Sequence, residues 1–163
     1  MSRRDAILEI AEKYKCQASG KLGFGFFDLE TGESAYLYEN EPFPAASVFK
    51  IFVLAELFRQ IDEGRCSLYD RYVMKDSDKT NGSGVLVTLR EGMNLTLYDY
   101  AVLMMIISDN TAADFLFKFT GRDSIKKNVI DKLGLDTTKV DLTCRCLLSQ
   151  YGEFDEEKSW EEN

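Results

Sequence analysis

The sequence predicts an α+β fold, with an N-terminal helix and a β-hairpin followed by a mostly helical lobe. Three observations carry that prediction. Leu22 to Leu29 and Ala35 to Tyr38 are apolar runs flanking a Glu30-Thr31-Gly32-Glu33 turn, as a hairpin requires. Most of the chain beyond Pro44 places apolar residues at helical spacing. The composition, 45% hydrophobic and 12% aromatic, is enough for a packed core.

At 163 residues one domain is expected, over residues 1–151, with an acidic tail at 152–163. Residues Ser2 to Tyr14 carry Ile7, Leu8, Ile10 and Ala11 between charges, as an amphipathic surface helix does. That helix is the nearest cover for the hairpin, since two strands alone are marginal. Asn40 to Ala46 is a loop holding both prolines, Pro42 and Pro44. A helix from about Ser47 to Glu63 follows, stopped by Gly64. It is apolar nearly all round and so is expected in the middle of the fold. Leu68 to Val73 reads as a turn and a short extended piece, and Asp76 to Gly84 as a polar loop. Thr96 caps a helix over Leu97 to Ile107. Further helices run from Thr111 to Phe119 and from Asp123 or Ser124 to Leu133. Asp141 to Ser149 fits neither period.

The composition excludes several functions. A net charge of -8 argues against binding a nucleic-acid backbone, and no basic amphipathic helix points to a membrane. The longest apolar segments are too short to span a bilayer. There are no histidines, which removes Ser-His and Cys-His catalysis and the usual zinc sites. Cys16, Cys66, Cys144 and Cys146 show no zinc spacing. No metal and no organic cofactor is implied. The charged start, Met1-Ser2-Arg3-Arg4-Asp5, lacks a signal-peptide core, so reduced thiols and a cytoplasmic location are expected.

Without histidine, a nucleophile must be activated by lysine, a carboxylate or a thiolate. Ser47 and Lys50 stand one turn apart at the start of the most apolar helix and share a face. Burial lowers a lysine pKa, and a neutral amine beside a hydroxyl is a base beside a nucleophile. The same letters also fit an N-cap serine and a lysine reaching past the helix end to water. Ser108-Asp109-Asn110, between two apolar helices, offers a hydroxyl and an amide, or merely a cap for the next helix.

Together, S-x-x-K opening an apolar helix and S-D-N between helices resemble the class A β-lactamase and penicillin-binding-protein superfamily. Phe43-Pro44-Ala45-Ala46-Ser47, Glu63-Gly64-Arg65-Cys66-Ser67-Leu68-Tyr69-Asp70, Gly82-Ser83-Gly84-Val85-Leu86, Leu95-Thr96-Leu97 and Ser108-Asp109-Asn110-Thr111-Ala112-Ala113 continue the likeness in family order. It covers about Leu22 to Val140. The resemblance implies an acyl-serine hydrolase acting on a small β-lactam-like amide. Ser47 would be the acylated nucleophile and Lys50 the proton acceptor. Ser108 would relay a proton to the leaving nitrogen. Asn110 would hold the substrate acylamide, with Ser83 also on the substrate side. The Ser47 N–H would be one oxyanion donor.

Two family features are absent. The glutamate of the E-P-x-L-N loop, which positions the deacylating water, aligns with Cys144, beside Arg145. Cys144 would be a thiolate beside Arg145 or a structural cysteine, and Glu153 and Asp155 are alternative carboxylates that no spacing supports. Slow or absent deacylation follows. The K-T-G strand is also missing; Lys79-Thr80-Asn81-Gly82 resembles it only superficially, having an inserted asparagine. The expected fold is therefore a partial β-lactamase/transpeptidase-like fold without its C-terminal strands. Losing one oxyanion donor costs about two to three orders of magnitude in rate. The exposed strand edge is expected to pair with a second copy or a complementing chain. The alternative function is a non-catalytic remnant or binding module that needs such a partner.

Overall fold

The computed structural model describes residues 2–150, so the expected acidic tail lies outside the described residues. The chain forms two compact units, Met1–Pro44 and Ala45–Asn163.

In the first unit, α1 (Arg3–Lys15) begins at a capping box. Ser2 Oγ accepts from the Asp5 N–H at 3.1 Å, and the Asp5 carboxylate accepts from the Ser2 N–H. Strands β1 (Phe24–Phe27) and β2 (Ser34–Leu37) pair antiparallel, with Gly25 opposite Tyr36 and Phe26 opposite Ala35. Asp28 forms the turn by accepting from the N–H groups of Glu30 and Thr31 at 2.9 Å. The start of α1 is tied to that turn by Arg3 on Asp28 and by the Arg4 N–H on Glu33. Ile7, Ile10, Ala11 and Tyr14 of α1 face Leu22 and Phe24. The opening helix thus does cover the hairpin.

The second unit is helical around a small two-stranded ladder. A 3₁₀ turn, Ala46–Val48, leads into α2 (Phe49–Asp62). Strands β3 (Arg71–Val73) and β4 (Asn94–Thr96) pair antiparallel, Tyr72 opposite Leu95. Then come α3 (Leu97–Ile106), α4 (Asn110–Thr120), α5 (Arg122–Ile125) with a π-helical turn Lys126–Ile130, and α6 (Cys144–Gln150). The short extended piece expected before Val73 is β3, but its pairing with β4 is not readable from the sequence, because each strand holds three residues, too few to show a period. The ambiguous stretch from Asp141 is mostly α6.

Val53 and Leu57 of α2 pack with Leu97, Tyr100 and Met104 of α3 and Ala112 and Leu116 of α4. A leucine as fully buried as Leu57 or Leu116 contributes about 2 kcal/mol of transfer free energy. Glu56 is fully buried within this packing and joins α2 to α5. It accepts from Arg59, from Gln60 at 2.8 Å and from Ser124 Oγ at 2.6 Å. Burial alone would raise its pKa, but those donors outweigh it and hold the carboxyl at about 2.

One expectation needs correcting. Helix α2 is not enclosed all round: Ile51 and Phe58, with Val48 of the turn before it, are 53%, 44% and 57% exposed along one stripe. The elements of this unit cover the rest of the helix, where Val53, Glu56, Leu57 and Gln60 are buried, and leave that stripe open. No helix among the described residues is long and apolar enough to cross a membrane.

Candidate active site

Ser47 lies on the exposed 3₁₀ turn, and Lys50 in the first turn of α2, only 2% exposed. The residue before the serine, Ala46, has φ 43°, a left-handed kink that brings the turn onto the helix. Ser108, in the link between α3 and α4, is also left-handed, with φ 58°. That conformation points both its carbonyl and its hydroxyl at Lys50. Nζ donates to Ser108 O at 2.6 Å, to Ser108 Oγ at 2.9 Å and to Asn110 Oδ1 at 2.9 Å. Ser108 Oγ in turn donates to Ser47 Oγ at 2.9 Å. One continuous chain therefore runs from the serine hydroxyl through a second hydroxyl to a buried amine. Burial lowers the Lys50 pKa, while the carboxylates of Asp114 and Asp109 pull the other way.

The link is held from behind by Asp109, 1% exposed. Its Oδ1 accepts from the Ala112 N–H, capping α4 at 3.0 Å. Its Oδ2 accepts from the N–H groups of Val85 and Leu86 at 2.7 and 2.9 Å. Asp109 is thus a cap and a clasp. Gly84 makes the close approach possible, for a Cβ there would stand 2.2 Å from Asp109 Cγ. Asn110 is bound by the same loop. Its N–H donates to Ser83 O at 2.8 Å and its Nδ2 to Asn81 O at 2.9 Å. Ser47, Lys50, Ser108 and Asn110 are brought together. Ser83 reaches the group through its carbonyl, and its side chain is exposed.

The profile described as "Beta-lactamase enzyme family" matches residues 2–159. The chain belongs to that family. It is 27% identical over 123 residues to β-lactamase PSE-4 of Pseudomonas aeruginosa, covering 76% of this chain and 42% of that protein. The β-lactamase of Sphaerobacter thermophilus superposes with a TM-score of 0.81 at 31% identity, over 88% of this chain and 53% of that one. A point mutant of PBP-A, solved as an acyl-enzyme with penicillin G, matches with a TM-score of 0.75 at 27% identity, over 86% and 52%. The chain thus spans about half the length of these relatives, as the expected partial fold requires.

Two further residues are buried in the same unit. Cys144, at the start of α6, is buried, and its thiol is pushed up by burial and by Asp114, against the pull of Lys50. Of the two readings left open for it, a thiolate or a structural cysteine, the structure gives the second. Asp114 escapes sequence reading: it looks like one polar residue on an amphipathic helix, yet it is 1% exposed. Its carboxylate accepts from the N–H groups of Cys144 and Arg145 at 2.6 and 3.0 Å and from Thr80 Oγ1 at 2.9 Å. Among the described residues, no group of three or more His, Cys, Asp or Glu could hold a metal ion.

Proposed function

We propose that the protein transfers an acyl group from a β-lactam or related amide to Ser47, and that the acyl-enzyme hydrolyses slowly or not at all. The observation supporting this is the Ser47–Ser108–Lys50 chain. With Lys50 neutral, two N–H groups stay on Ser108 O and Asn110 Oδ1, and the lone pair accepts from the Ser108 hydroxyl. That hydroxyl can then take the Ser47 proton while passing its own to Lys50 Nζ, as Ser47 Oγ bonds to the amide carbonyl carbon. The C–N bond breaks and the same path returns the proton to the leaving nitrogen. One Asn110 amide hydrogen is committed to Asn81 O, leaving the second for a substrate carbonyl. The Ser47 N–H serves as an oxyanion donor.

Deacylation needs a base with a lone pair available to water. Asp109 and Asp114 are buried and accept from backbone donors, and the Cys144 thiol keeps its proton. Incubation with a fluorescent penicillin should give a stoichiometric adduct by intact mass, with weak turnover of a chromogenic cephalosporin. Fast turnover would refute the slow-hydrolysis half; the absence of an adduct would refute acylation.

A second reading has its own observation. The exposed stripe Val48, Ile51 and Phe58 and the two-stranded β1–β2 sheet are surfaces that a partner would cover. The chain would then be a remnant or binding module, working as a homodimer or with a complementing chain. Light scattering tests this; a monomer at high concentration counts against the homodimer.

A further inference from the structure

Helix α6 is anchored at two points. Its first turn hangs on Asp114, which accepts from the N–H groups of Cys144 and Arg145 at 2.6 and 3.0 Å. Leu148 stands four residues on from Cys144 and so shares its face of the helix. Leu148 is half-buried, and its side chain reaches the Gly82 loop. Gly82, at φ 96°, leaves open the place a Cβ would fill, and two groups close on that place: Asn110 Nδ2 at 2.6 Å and Leu148 Cδ1 at 3.7 Å. A leucine methyl therefore stands beside the Asn110 amide nitrogen. One hydrogen of that nitrogen is on Asn81 O at 2.9 Å, while Oδ1 of the same amide accepts from Lys50.

We propose that Leu148 is a specificity-determining residue: it forms an apolar side to the place next to the Asn110 amide, and it favours substrates whose acyl group carries an apolar substituent there. This rests on the acyl-transfer reading, in which the second hydrogen of Asn110 Nδ2 holds a substrate carbonyl. A substituent one or two atoms beyond that carbonyl comes up against the leucine. Leu148 offers neither donor nor acceptor, so a charged substituent loses water there and gains no partner. An apolar substituent gives up only surface that is better covered. One methylene placed in an apolar pocket is worth about tenfold or more in selectivity, so the effect is large enough to read.

The test compares two penicillins that differ in one group: benzylpenicillin, and carbenicillin, which adds a carboxylate to the same benzyl side chain. Acylation of the full chain by each is followed by intact mass. Wild type should react about tenfold or more faster with benzylpenicillin. Leu148→Ala, and Leu148→Gln, which is close in length but polar, should each lower that ratio about fourfold or more, chiefly by slowing benzylpenicillin. Leu148→Met, apolar and of similar volume, should keep it. A leucine that only packed α6 onto the Gly82 loop would change both rates together. An unchanged ratio in Leu148→Ala and Leu148→Gln, or no preference in wild type, therefore overturns the proposal while the adducts still stand for acyl transfer. No adduct with either penicillin in wild type would sink the acyl-transfer reading, and this proposal with it.

Discussion

Ser108 donates to Ser47 Oγ at 2.9 Å from a backbone held left-handed at φ 58°. A non-glycine residue pays about 1 kcal/mol for that conformation, and here Lys50, bonded to the same residue's carbonyl, helps to hold it. The hydroxyl and the strain are separable by mutation. Ser108→Ala and Ser108→Gly should both lose at least about a hundredfold in acylation rate, because both remove the relay. Ser108→Gly should nevertheless melt higher than Ser108→Ala. Equal melting temperatures would show that the left-handed link is unstrained.

The charge on Lys50 is tested by a residue that cannot lose it. Lys50→Arg keeps donors for Ser108 and Asn110 but has no accessible neutral form. The wild-type rate should rise with pH through a midpoint below 10.5, the ordinary lysine value from which burial lowers Lys50. The arginine variant should stay inactive across that range. Stopped-flow acylation between pH 6 and about 10 reads both. Activity in Lys50→Arg would remove lysine from the role of base.

The loop behind the link makes a prediction about stability. Gly84, at φ 116°, has no room for a Cβ against Asp109, whereas Gly92, at φ 91°, has nothing within 4 Å. Gly84→Ala should therefore cost about 3 kcal/mol or more, by strain and overpacking together. Gly92→Ala should cost about 1 kcal/mol, from its backbone alone. Urea unfolding of the two variants gives the comparison, and similar losses would contradict the clasp.

Acid should weaken the helical unit through Glu56. Its carboxyl titrates near 4.5 in the ordinary state and at about 2 in the fold. A depressed acid stabilises above its unfolded pKa, and that stabilisation, about 3 kcal/mol, is lost as pH falls from about 4.5 through about 2. Glu56→Gln should be less stable than wild type at pH 7 and should show a flatter loss of stability below pH 4.5. Parallel pH profiles would place the acid sensitivity elsewhere.

The helices before α6 were legible in the sequence because a start or stop signal accompanies their period, whereas α6 shows neither. Thr96 caps α3 through Asp99, and Asp109 caps α4. The cluster of Ser47, Lys50, Ser108 and Asn110 was legible because S-x-x-K and S-D-N put those side chains at fixed positions on or beside helix starts. What surrounds that group was not. Gly82 and Gly84 look like ordinary loop glycines until the Asn110 amide and the Asp109 carboxylate are found against them. Asp114 carries no signal, since its partners lie about thirty residues away on either side. The apolar stripe of α2 is legible as apolar, but composition does not say which face the rest of the chain covers.

All of this turns on where a covalent acyl group lands. Digestion of the penicillin-treated protein and tandem mass spectrometry locate it directly. The account predicts a single penicilloyl group on Ser47, absent in Ser47→Ala. A group on any other side chain, or none, would contradict it.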